Sequence, residues 1–287
     1  MRGAGTINTP SYLPMLYGVG ARGDSLLAAL HRGTDADHAP PDPLAALDAA
    51  RRDATRHIAL TAQRPDVRRD LARYAQALAR ARTPAEFLGH PAALKVLLTA
   101  YGLGERTGNR GLAAKALLSD PSSPSALAAR LADTRWRAAA RRYAFAATDL
   151  TTVRDPAVNA AITHDHAEAV WWRLLGETTP GLGRALDFLK RAGTIEDTGQ
   201  VLNDPVLRDV VLTTPDPRGD AAFCGIAARG GGFASQIDVA AFRDSAQAYQ
   251  FARRYVLAAA VEARPRGREA EQAAGRATLA PGARALV

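Results

Sequence analysis

Apolar positions through the middle of the chain fall three and four residues apart, the spacing of one face of an α-helix. Val67, Leu71, Tyr74, Leu78 and Ala81 make one stripe and predict a helix of about four turns. Leu94, Leu97, Leu98 and Tyr101 make a second, stopped by Gly102, because glycine adopts the left-handed conformation that a helix C-terminus favours. Leu112, Ala116 and Leu117 mark a third before the break at Asp120-Pro121-Ser122-Ser123-Pro124. Leu127 and Leu131 lead through Asp133 to Trp136, Ala140 and Tyr143. Val158, Ile162, Ala169, Trp172 and Leu175, then Leu182, Leu186 and Leu189, continue the pattern. Phe242, Tyr249, Ala252, Val256 and Ala260 predict a last long helix. No stretch alternates with period two, and Val210-Val211-Leu212 is too short to count as a strand.

Polar punctuation sets the helix starts. A small polar or acidic residue directly before proline occurs at Asp42-Pro43, Thr83-Pro84, Ser123-Pro124, Asp155-Pro156, Thr179-Pro180 and Asp204-Pro205, with His90-Pro91 a weaker case. The side-chain oxygen can accept an orphan N–H, and proline fits the first helical position, where its missing N–H costs nothing. Thr83 also has Glu86 three residues on, the spacing of a capping box. Two regions lack the pattern. Residues 1–41 are rich in Gly, Pro, Thr and Asp, with one short helix expected around Ser25–His31 and an apolar cluster at Tyr12, Leu13, Met15, Leu16 and Tyr17. Residues 214–236, with Pro215, Pro217 and Gly230-Gly231-Gly232, predict a long loop. The expectation is all-α: a single compact multi-helix domain over 42–263, a flexible segment at 1–41, and a disordered Arg-rich tail at 264–287.

Composition sharpens this. Apolar residues make up 47% of the 287, yet aromatics only 6%, and alanine dominates. Alanine is the best helix former and a poor strand former, so close-packed, thin-cored helices are favoured. In so aromatic-poor a chain Trp136, Trp171 and Trp172 are expected to pack inward, one of the adjacent pair reaching a second helix or a partner. The net charge of +8 raises the question of nucleic acid. Most arginines are interleaved with Asp and Glu, however, and only the tail has a local excess, Arg264, Arg266, Arg268, Arg276 and Arg284 against Glu269 and Glu271. Solvated faces are therefore expected rather than a nucleic-acid surface. No apolar run reaches the length of a membrane span, and Asn8, Pro10, Pro14 and Gly18 interrupt any secretory leader, so a cytoplasmic protein is expected.

Candidate chemistry is sparse. His164-Asp165-His166 offers three metal-ligand types, but residues i and i+2 of a helix point about 200° apart and cannot share an ion. A polar helix-surface patch is expected there instead. Arg229-Gly230-Gly231-Gly232-Phe233 lacks the spacing of a phosphate-binding loop and follows no strand. Cys224, the single cysteine, excludes an intramolecular disulfide and has no local motif, so a buried, inert thiol is expected. No catalytic, cofactor-binding or metal-binding residue, and no cofactor, is assigned.

One segment recurs: Arg73–Thr83 lines up with Arg184–Thr194, sharing Arg, Leu, Arg, Ala and Thr, and the helix after Pro91 then matches the one after Pro205. A diverged internal repeat and chance alignment of Ala/Arg-rich helices explain this equally well. The run Thr83-Pro-Ala-Glu-Phe-Leu-Gly-His-Pro-Ala-Ala-Leu-Lys-Val-Leu-Leu-Thr-Ala-Tyr-Gly-Leu103, together with Leu117-Leu-Ser-Asp-Pro121 and Leu127-Ala-Ala-Arg-Leu-Ala-Asp-Thr-Arg-Trp136, resembles motifs of a bacterial family, domain of unknown function 1217. The resemblance spans residues 45–262, is specific at 66–145 and is expected to fade at 214–236. It implies an all-helical fold and a group whose genes often sit among flagellar genes, and it implies no known activity or site residue. The expected function is non-enzymatic protein–protein contact in flagellar assembly or its regulation. Two alternatives stand beside it. One is an enzyme with an unrecognised helical active site, which a cleft of converging ionisable groups with perturbed pKa values would mark. The other is nucleic-acid binding through the basic tail.

Overall fold

The computed structural model describes residues 42–215 and 237–278, and among these every regular element is helical. Asp42 opens α1 (Pro43–Arg52) by accepting the Leu44 N–H at 3.1 Å. α2 (Ala54–Ala62) follows across Asp53. α3 (Pro65–Arg80) turns Val67, Tyr74 and Leu78 inward, and starts at Arg64-Pro65 with no side-chain cap to announce it. Thr83 begins α4 (Pro84–Gly89): its hydroxyl accepts the Glu86 N–H at 3.2 Å, and Glu86 reaches back to the Arg82 N–H at 2.8 Å. α5 (Pro91–Ala100) ends at Gly102, whose φ of 72° lets the Leu103 N–H bond the Leu98 carbonyl at 2.7 Å and its own N–H bond that of Thr99 at 3.0 Å. Those are the two links of a Schellman motif.

Short elements fill the next stretch: α6 (Arg110–Leu118), α7 (Leu127–Arg130), α8 (Arg135–Tyr143), α9 (Phe145–Thr148) and α10 (Thr151–Arg154). Asp155 then caps the long α11 (Pro156–Thr178), accepting N–H bonds from Ala157 and Val158. α12 (Leu182–Arg191), α13 (Thr198–Asn203), α14 (Pro205–Thr213), α15 (Val239–Arg243) and α16 (Ser245–Thr278) complete the order. Val210-Val211-Leu212 lies in α14.

Three expected features differ. Ser123-Pro124 opens no helix: Ser123 is engaged with Ser125 at 2.9 Å, and α7 starts further on, where the Ala128 N–H donates to Ser119. Thr179-Pro180 also fails to cap. Its residues form a tight turn through Gly181 at φ 79°, and the Thr179 hydroxyl is buried without a partner among the described residues. Phe242 is cut off from the last helix at Asp244, whose carboxylate caps Ala246 and Gln247. The last helix is described from Ser245 to Thr278. The Ser25–His31 helix, the Tyr12–Tyr17 cluster, Cys224, Gly230–Gly232 and Arg284 lie outside the described residues.

Two hydrophobic clusters form the interior. One gathers Tyr74, Phe87, Leu94, Leu97, Trp136, Tyr143, Phe145 and Ile162. The other gathers Leu47, Trp171, Leu175, Phe188, Val210, Phe242, Phe251 and Tyr255. Burying each such side chain contributes roughly 1.5–3 kcal/mol. α11 serves both clusters, giving Ile162 to the first and Val170, Trp171 and Leu175 to the second. Trp171 is buried and stacks on His57 at 5.9 Å, whereas Trp172 is half-buried and faces elsewhere.

The echoing segments fall in α3 and α12, and each leads into the same succession of elements. A six-residue capped helix comes next, then a helix opened by proline. Asp197 accepts the Gln200 N–H at 2.8 Å and Gln200 accepts the Glu196 N–H at 3.0 Å, as Thr83 and Glu86 do in the earlier segment. Asp70–Lys95 and Arg184–Asp209 then tie the first helix of each set to its third.

Candidate functional site

A cleft of about 700 Å³ runs between α11 and α12. Asp165, Glu168, Ala169, Trp172, Arg173, Gly176 and Glu177 line it from one face of α11, at spacings of three and four. Gly183, Arg184, Asp187, Lys190 and Arg191 of α12 form the opposite side, and Tyr101, Gly102, Arg135 and Arg142 the end wall. The helices approach closely because Gly183 has no side chain: a Cβ there would sit 2.1 Å from the Trp172 carbonyl oxygen. Gly181 likewise presses on Ala259 of α16, which fixes where α12 begins.

Asp165 is the hub of one ion network. Arg142 donates to it at 2.5 Å and Lys190 at 2.9 Å, and Lys190 also donates to Glu168. The Arg142 guanidinium lies 5.9 Å from the Tyr101 ring centre, and the Lys190 ammonium 5.6 Å from that of Trp172. Burial opposes charge on all three groups, yet pairing prevails. Lys190 and Arg142 hold Asp165 below the usual carboxylate range, Glu168 and Asp165 hold Lys190 above its ordinary value, and Asp165 does the same for Arg142. Burial pushes the Tyr101 phenol up.

A second network closes the end wall. The buried Arg135 donates from Nε to Asp133 at 3.0 Å, from Nη2 to the same carboxylate at 2.8 Å, and from Nη1 to the Gly102 carbonyl. It also meets Glu105 at 3.2 Å and lies 3.7 Å from Asp204. Asp204 does two things at once: one oxygen caps α14 through Val206 and Leu207, and the other takes Arg191. Arg191 in turn grips Asp187 with two parallel bonds, 2.8 and 2.6 Å. Burial works against the Arg191 charge, but Asp187 and Asp204 hold it above its ordinary value. Asp133 and Arg135 come from the run ending at Trp136, and Tyr101 and Gly102 from the run ending at Leu103, so both motif runs meet in this wall.

The His164-Asp165-His166 segment divides. His164 is exposed and Asp165 faces the cleft, but His166 is fully buried, where a surface patch was expected. The two-residue step carries it round to the interior, where burial pushes its pKa down to about 4 and neither ring nitrogen has a partner among the described residues. His164, Asp165 and Glu168 bring ligand atoms within 4.8 Å of one another, a grouping the pairing of His164 with His166 obscures. A cation there would have to displace Lys190, which already holds both carboxylates. Sequence reasoning missed the cleft itself; Arg184 and Thr194, aligned in the internal echo, line it.

The fold and cleft define the class: an all-helical protein whose two hydrophobic clusters share α3 and α11, with a charged groove beside α11. The chain belongs to the family described as "Protein of unknown function (DUF1217)", which matches residues 100–248 and so takes in every residue lining the cleft. The match begins after most of the Thr83–Leu103 run and continues through 214–236, where the resemblance was expected to fade. No curated protein matches the chain. The fold is similar to the crystal structure of a structural-genomics target protein from Agrobacterium tumefaciens: the TM-score is 0.63 at 19% identity, over 75% of this chain and 92% of that one. Among the described residues no helix is long and apolar enough to cross a membrane.

Proposed function

We propose that the protein is a non-enzymatic, cytoplasmic interaction factor acting in flagellar assembly or its regulation, with the α11–α12 cleft as its contact surface. The observation that carries this reading is the state of the cleft's ionisable groups. They converge, as an active site's would, and burial raises the Asp187 carboxyl beside Arg191, but pairing drives Asp165 down and Lys190 and Arg142 up, away from neutrality. Groups locked in their charged forms hold and orient a partner; a general acid or base needs a pKa near the working pH. The flagellar setting follows from the gene neighbourhoods that the family resemblance implies.

The test is deletion of the gene in a motile host, with complementation by the wild-type chain. Loss of swimming or of filaments, restored on complementation, is the expected result. Unchanged motility and flagellation would sink the flagellar reading. Turnover that requires intact Asp165 and Lys190 would replace an interaction factor by an enzyme.

A further inference from the structure

Charges in the cleft are layered. Of the lining carboxylates, Asp165, Glu168 and Asp187 are recessed, with side chains only 13, 13 and 17% exposed. Cations stand further forward: Arg142 and Lys190, which pair with Asp165 and Glu168, are 32 and 45% exposed, and Arg184 and Arg173, paired with Asp209 and Glu177, are 60 and 62% exposed. Glu177, 57% exposed, is the one lining carboxylate that is as open as these. With Arg135 and Arg191 the lining carries six cations against four carboxylates, and the layer that water reaches is cationic. Between the charges lie a half-buried indole, Trp172, and a floor of small residues, Ala169, Gly176 and Gly183.

The shape adds a second constraint. The lining face of α11 runs from Asp165 to Glu177, which at 1.5 Å per residue is about 18 Å of groove. That is room for roughly five or six residues of extended chain at ~3.3 Å each, far more than one carboxylate or phosphate needs. We propose that the cleft binds an acidic peptide segment of a partner protein. Its carboxylates pair with Arg173, Arg184 and Lys190, and an apolar or aromatic side chain lies against Trp172. The proposal rests on the interaction reading above and adds the partner's chemistry and its anchor points.

Arg173 and Arg184 are the natural handles, since each is well exposed and pairs only with an exposed or half-exposed carboxylate, Glu177 or Asp209, among the described residues. Weak surface pairs of this kind exchange readily for a new partner. The opposite sign of protein and ligand also makes capture dependent on ionic strength.

The experiment titrates the full chain into three fluorescein-labelled probes, read by anisotropy. The probes are a short peptide with glutamates flanking a central phenylalanine, the same peptide with lysines, and an oligodeoxythymidine. Wild type is expected to bind the acidic peptide, ever more weakly as salt rises, and to leave the lysine peptide free. Arg173→Glu with Arg184→Glu should weaken acidic-peptide binding by more than about tenfold, and Trp172→Ala by a smaller factor. Arg173→Gln with Arg184→Gln, which keeps the polar surface, serves if the reversed variant does not fold. The proposal is overturned if the acidic peptide does not bind, if it binds both double variants as tightly as wild type, or if only the oligodeoxythymidine binds. None of these outcomes bears on motility, so this proposal and the flagellar one fail separately.

Discussion

The buried guanidinium of Arg135 donates to the Gly102 carbonyl, thirty-three residues earlier, and so fastens the start of α8 to the turn that closes α5. The same side chain holds Asp133 and lies beside Asp204. Removing it leaves the buried Asp133 carboxylate without its cation, while Asp204 keeps Arg191. Arg135→Met is therefore expected to lower unfolding stability by about 3–5 kcal/mol, seen as a lower urea midpoint. Arg135→Lys keeps the charge but loses the fork, and should fall between. A shift of less than ~1 kcal/mol for the methionine variant would show that the network contributes little.

Two threonines that look identical in sequence should respond oppositely. Thr83 caps α4, so Thr83→Ala is expected to cost about 1 kcal/mol. The Thr179 hydroxyl is buried with no partner among the described residues, so Thr179→Val removes an unsatisfied group and should be neutral or stabilising. Thermal or urea unfolding of the two variants side by side checks the contrast.

That contrast marks what the sequence could and could not reveal. Asp42, Thr83, Asp155 and Asp204 were legible as helix starts because a cap acts within three residues of itself. Gly102 was legible for the same reason. Thr179-Pro180 misled because Gly181, not the threonine, sets the turn between α11 and α12, and Ser123 because a neighbouring serine takes its hydroxyl. The cleft was out of reach. Only Arg173–Glu177 and Asp187–Arg191 follow the i,i+4 spacing; pairs such as Arg142 with Asp165 and Arg135 with Asp204 join residues about twenty to seventy apart, which no local pattern reports. His166 shows the reverse error: a polar segment, seen as strung-out letters, hides that its third member is turned inside.

Glycines along the cleft should divide by their surroundings. A Cβ at Gly183 would meet the Trp172 carbonyl oxygen at 2.1 Å, so Gly183→Ala must push α11 and α12 apart, at a cost of about 1–3 kcal/mol. Gly176 has nothing within 4 Å of that position and sits inside a helix, so Gly176→Ala should gain roughly 0.5–1 kcal/mol. Equal effects of the two, measured by chemical unfolding, would refute the close-approach account.

Acid should weaken the protein in a window set by His166. Burial puts its folded pKa at about 4, below the ordinary 6.5 of the unfolded chain. Between those values the unfolded state binds the extra proton, so stability rises with pH across the window and falls as pH drops from 6.5 towards 4. At about 1.4 kcal/mol per unit the effect is on the order of 3 kcal/mol. Asp165, whose pKa is lowered, contributes stability that is lost only at still lower pH. His166→Leu should flatten the dependence between pH 4 and 6.5, measured as urea midpoints at a series of pH values. An unchanged slope would assign the acid sensitivity elsewhere, first to His57, which burial also lowers.

α11 gives Ile162 to one hydrophobic cluster and Trp171 to the other. α3 does the same with Val67 and Tyr74, so neither cluster can be sealed while either of these helices is frayed. The two halves of the molecule are therefore bound to melt together, as one cooperative unit, and a cut within α11 would leave no fragment able to stand alone.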